Sequence, residues 1–155
     1  MLATPVPALV TVNAIRIIPG AIFVVLYAAG RLPASFGPSA GWGDIFAGVT
    51  ALPLAWSMAQ FGPRVRTLAV LWNTIGIADL FAAIALGALS APGPLQVFAG
   101  PPTSAIMTTL PSLIIPGVVV PSLVFIHIVL YYRLAKTEAS AAGRPWLGAG
   151  QPRPT

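Results

Sequence analysis

Between Arg66 and Arg133 the chain carries one charged side chain, Asp79. So long a stretch with a single ion cannot cover a water-soluble domain, whose residues are about one quarter charged. Across all 155 residues, 7% are charged and 57% are hydrophobic. One small core cannot hide that much apolar surface. Hydrocarbon is the solvent that accepts it. A soluble four-helix bundle fails on the same pattern, because its helices need a continuous polar face and the apolar runs after residue 44 have none.

Spanning helices need about twenty mostly apolar residues. Four are predicted, over residues 6–30, 44–61, 67–89 and 108–132. The fold class expected is all-α, an integral membrane bundle of four transmembrane helices occupying residues 1–136. Asp44 is placed to cap the second span. Residues 137–155, rich in Gly, Ala, Pro and Arg and without apolar periodicity, read as a disordered cytoplasmic tail.

The formal charge is +5, but the basic residues stand singly at the ends of apolar runs. With four spans, Arg64, Arg66, Arg133, Lys136, Arg144 and Arg153 share one side, and Arg31, offset by Asp44, lies on the other. The excess of basic residues on the inner side predicts an N-in, C-in topology. Loops 31–43 and 90–107 then face outward, Tyr131 and Tyr132 belong to an inner interfacial belt, and Trp42 serves outside. Arg31 and Asp44 are expected to pair at that outer surface, where an exposed ion pair contributes little. No dense basic patch offers a nucleic-acid site. The partners expected are the lipid bilayer and either further copies of the chain or a larger membrane complex.

Chemistry is narrowed by what the sequence omits. Cysteine is absent, which removes disulfides, thiolate catalysis and Cys-ligated metals or clusters. Arg16 falls inside the first apolar run rather than before it, so a cleaved leader is not expected. Leu2 after Met1 lacks the glycine that myristoylation requires. Phosphate-binding loops, dinucleotide fingerprints, zinc-protease helices and nucleophile elbows do not occur. A triad of Ser112, His127 and Asp79 would need Ser112 and His127 to meet, yet along one helix they stand about 22 Å apart. Enzymatic activity, metals and cofactors are therefore not expected.

The ions inside the apolar runs are the candidate site. Asp79 stands about 18 Å into the third span, near the midplane. A lipid-facing charge there costs at least about 2.5–3.5 kcal/mol, so it must face protein or water, be paired, or be protonated. Arg16, at a comparable depth in the first span, is the natural partner. The pair reads first as a structural clasp, then as a proton or ion relay with Asp79 titrating, or as two groups satisfied separately. His127, the one histidine, sits level with Asn73, and a hydrogen bond between them is expected. A homodimer could instead place two such histidines on a haem.

Asn73, Gly76, Ala83 and Gly87 fall within an arc of about 80° on a helix, a packing stripe beside Asp79. Pro19 and Pro53 should kink the first two spans. Pro111, Pro116 and Pro121 should bend or loosen the outer half of the fourth, freeing carbonyls on the face that also bears His127.

The segments "LYAAGRLPASF", "AGWGD" and "WNTIGIADL", followed by a proline-rich last span, resemble small uncharacterised multi-spanning proteins of bacterial inner membranes. The resemblance runs from about residue 14 to residue 133. It implies a bacterial plasma membrane location and four spans, and it transfers no biochemical function. The leading expectation is a non-enzymatic structural, accessory or assembly component. The alternatives are a small oligomeric channel or proton-coupled transporter, and a haem- or quinone-linked redox subunit.

Overall fold

The computed structural model describes residues 4–142. Helix α1 (Val6–Val12) runs through a 3-10 turn (Asn13–Arg16) into α2 (Ile17–Ala28). After the turn at Gly30 come α3 (Gly37–Phe61), a second 3-10 turn (Gly62–Val65) and α4 (Arg66–Leu89). A long connection holds a further 3-10 turn (Ser104–Thr108). A π-helical turn (Ile115–Val119) then leads into α5 (Val120–Ala142).

The expected count of four spans is corrected by this arrangement. Among the described residues, three helical stretches are long and apolar enough to cross a membrane: Val6–Ala28, Gly37–Leu89 and Ile115–Lys136. The middle one, 53 residues long, absorbs both segments predicted as the second and third spans. The link between them is itself helical, so no loop divides the run. It bends back at Gly62, whose φ of 54° suits glycine, and Trp72 Nε1 of α4 donates to Thr50 Oγ1 of α3 at 2.9 Å. The N-in, C-in placement rested on an even count of crossings and falls with it.

Two boundaries also differ. Helix α3 begins at Gly37, so "GPSAGWG" is helix rather than connector, and Asp44 lies inside α3 instead of capping it. Proline at the second helical position is tolerated because its missing N–H has no partner there anyway. The last apolar helix begins at Ile115 rather than at 108. Pro111 therefore precedes it and kinks nothing, whereas Pro116 lies in the π-helical turn and Pro121 in the first turn of α5. Residues 137–142 of the expected tail continue α5, and 143–155 lie outside the described residues.

The bundle is layered. At one end Leu9, Val10, Ala51, Leu54, Ala69, Trp72, Ile126 and Leu130 form an apolar cluster. There Arg133 Nη1 donates to Thr4 O and Arg66 Nε to Leu134 O, each at 3.1 Å. A second cluster, at the other end, contains Phe23, Phe36, Ala40, Leu80, Met107, Val120 and Leu123. Between the clusters each helical segment contributes polar residues: Asn13 and Arg16, Asp44, Asn73 and Asp79, and His127. The outer surface carries Ile18, Val25, Trp56, Leu71, Phe81 and Phe125, all exposed. Ions within and hydrocarbon without are the marks of a membrane-embedded protein.

Close contact between α2 and α3 depends on glycine. A Cβ on Gly20 would lie 2.7 Å from Gly41 O and 2.9 Å from Ile45 N. The expected outcome of Gly20→Leu is a loss of about 1–3 kcal/mol from overpacking, read as a lower melting temperature in detergent. Gly117→Leu, whose new Cβ meets nothing within 4 Å, should melt near the wild type.

Candidate functional site: a buried arginine shared by two carboxylates

Arg16 is wholly buried. The 3-10 turn that carries it directs its guanidinium into the middle of the bundle, where three other helices meet it. Nε donates to Asp44 Oδ1 at 2.7 Å. Nη1 donates to the backbone oxygen of Gly76 at 3.0 Å and lies 3.5 Å from His127 Nε2. Nη2 donates to Asp79 Oδ2. Arginine suits this role because its planar fork presents donors in several directions and keeps its charge.

The predicted meeting of Arg16 with Asp79 is thus present in the structure, but Asp44 joins it. Asp44 was expected to pair with Arg31 at the outer surface. Instead Asp44 is buried, its ionic partner is Arg16, and Arg31 is exposed. The reason is the earlier start of α3, which carries Asp44 well inside the helix. One guanidinium thus serves two carboxylates, one more than an ion pair requires. Oδ2 of Asp44 accepts no hydrogen bond among the described residues, while the Asp79 side chain remains 21% exposed.

His127 and Asn73 form the second half of the layer. Asn73 Oδ1 lies 2.7 Å from His127 Nδ1, and Asn73 Nδ2 donates to the His127 backbone oxygen at 3.1 Å. Arginine offers only donors, so the His127 nitrogen beside Arg16 serves as acceptor and Nδ1 carries the proton to Asn73. The indole of Trp72 lies against the imidazole, with centroids 5.7 Å apart. Both ring nitrogens face protein partners and the side chain is fully buried. That arrangement does not fit an axial ligand for a haem shared with a second copy. Among the described residues no three His, Asp or Glu side chains are grouped to hold a metal ion.

Glycines let these groups approach. A Cβ on Gly43 would collide with the Asp79 carboxylate, and one on Gly76 would lie 2.6 Å from His127 Cε1. Gly76 of the expected stripe therefore faces the site. Ala83 packs on the second apolar cluster, and a Cβ on Gly87 would lie 3.5 Å from the Phe36 ring. Asn13, fully buried one turn before Arg16, donates to Leu9 O at 3.1 Å, and its Oδ1 has no hydrogen-bond partner among the described residues. Sequence reasoning missed the inward roles of Gly43, Asp44, Asn13 and the Trp72–Thr50 bond. The repeated glycines at 41, 43 and 48 around Asp44 were the available signal of a tightly packed helix face.

Asp44 also lines a cavity of about 670 Å³ bounded by α4, the π-helical turn and the start of α5. Its walls include Phe23, Phe36, Leu80, Met107 and Val120. Phe81 and Ile84 line it while remaining exposed outside, so it opens on the apolar surface of the bundle.

Removing one member of a buried ion cluster strands the others. Arg16→Leu alone should cost about 3–5 kcal/mol, measured as lost folded yield and melting temperature. Combining it with Asp44→Asn and Asp79→Asn should recover most of that loss. Additive losses would refute the coupling. His127→Ala should cost about 1–3 kcal/mol by leaving the buried Asn73 Oδ1 without its partner.

No curated protein and no solved structure matches the chain. A family model does match, over residues 2–135, and the chain belongs to that family, described as Domain of unknown function (DUF8737).

Proposed function

We propose that the protein is a non-enzymatic, proton-coupled membrane carrier whose loading centre is Arg16 with Asp44 and Asp79. The observation that supports this is the sharing of one buried guanidinium by two carboxylates, one of which lines a cavity. A fixed clasp needs only one anion. The second leaves a negative charge in a low-dielectric layer, where a proton or a cationic ligand has to balance it. The helix irregularities fall where such a device needs them. The 3-10 turn positions Arg16, and the π-helical turn with Pro116 walls the cavity. Local departures from α geometry are often found at functional hinges.

A second reading keeps the cluster purely structural, in a protein that acts as an accessory or assembly component. It is favoured by the complete burial of Arg16 and by the engagement of all three of its nitrogens. Under this reading the ions lock helices together and move nothing.

Proton flux separates the two. Liposomes carrying the protein and an internal pH-sensitive dye receive a pH step with the membrane potential clamped. Carrier function predicts faster equilibration than in empty liposomes, with Asp44→Asn and Asp79→Asn falling back to the empty rate. Equal rates for wild-type and empty liposomes would leave the structural reading.

A further inference from the structure

We propose that the cavity beside Asp44 binds a lipophilic cation, an apolar or aromatic body bearing a quaternary or protonated amine-type charge, taken up from the hydrocarbon phase. Four observations converge on this chemistry. The walls are almost wholly apolar, with Leu80, Met107 and Val120 among them, so water-soluble sugars, nucleotides and phosphates find too few polar partners to replace their hydration. The volume of about 670 Å³ lies in the range of small-molecule sites. The one charged wall residue is Asp44, with Oδ1 committed to Arg16 and Oδ2 accepting no hydrogen bond among the described residues. Phe23, Phe36 and Phe81 also line the space, and aromatic faces attract cations most strongly where water is excluded.

Charge complementarity excludes the opposite ligand. An anion entering here would meet the carboxyl of Asp44, which shares its one guanidinium with Asp79. A cation finds in that carboxyl an acceptor of opposite charge. Entry does not require a water-filled path, because exposed Phe81 and Ile84 place the cavity mouth on the outer apolar surface. The identification of this ligand as the transported species rests on the carrier reading above; its binding does not.

The probes are tetraphenylphosphonium and tetraphenylborate, ions of matched shape and opposite charge. Binding of each to the purified full-length protein is measured by equilibrium dialysis in one detergent. Saturable binding of tetraphenylphosphonium, absent for tetraphenylborate, is the expected result. Asp44→Asn should weaken it about tenfold, the equivalent of about 1.4 kcal/mol. Because Asp44→Asn also disturbs the Arg16 cluster, Gly117→Phe provides a separate arm. Gly117 lines the cavity, and a Cβ there meets nothing within 4 Å, so phenylalanine should fill the space and abolish binding while melting stays near the wild type. Equal binding of the two ions, or unchanged cation binding in a folded Gly117→Phe, would overturn the proposal. Proton flux without cation binding would remove this ligand and keep the carrier; binding without flux would keep the site and remove the carrier.

Discussion

A guanidinium enclosed by protein, with two carboxylates and a backbone carbonyl on its three nitrogens, is the constraint to which the remaining architecture answers. In lipid, helices gain little by hiding apolar surface from a solvent that is itself apolar. Association must come from close packing and from polar groups that have no other place to be satisfied. Arg16 supplies the second kind of force to each of its neighbours, binding Asp44 of α3, Gly76 and Asp79 of α4, and approaching His127 of α5. Desolvating three ions offsets much of their attraction.

Packing of the first kind appears where the ions need room. Gly43 and Gly76 leave space for the Asp79 carboxylate and the His127 ring, and Gly20 and Gly41 bring α2 against α3. Glycine lowers intrinsic helix propensity, yet here it permits contacts that larger residues would prevent. The two ends of the bundle differ accordingly. Trp72, Leu130 and their neighbours close one end. At the other, the long connection is tied to the end of α4 by Ser104 Oγ, which donates to Gly87 O at 2.6 Å, and a cavity lies between α4 and the π-helical turn.

Much of the site could be read from composition and depth. Counting along the apolar runs put Arg16 level with Asp79, and Asn73 level with His127, because helical rise is regular and an ion in hydrocarbon must find a partner. Asp44 escaped the same logic. Its approach, "GPSAGWG", has the glycine, proline and serine content of a loop, and local propensity alone assigns it there. Tertiary contact decides otherwise: Gly41 and Gly48 pack on α2 and on Ile17. The number of separate helical stretches failed for a related reason. "GPRV" reads as a break, but it winds as a 3-10 turn that joins its flanks without a loop. Pro111 was assigned to a helix by a continuous hydropathy pattern, but the chain around it runs as a turn and the apolar helix begins only at Ile115.

The wide spacing of the Arg16 partners along the chain has a consequence for biogenesis. Arg16 is synthesised before any residue that satisfies it, and its contacts lie 28, 60, 63 and 111 positions further on. Until α3 and α4 are delivered, the nascent first helix holds a bare cation that hydrocarbon rejects. It must wait at the interface or beside an insertion machine that shields it. A chain halted before α4 therefore still lacks the Gly76 and Asp79 contacts of its arginine.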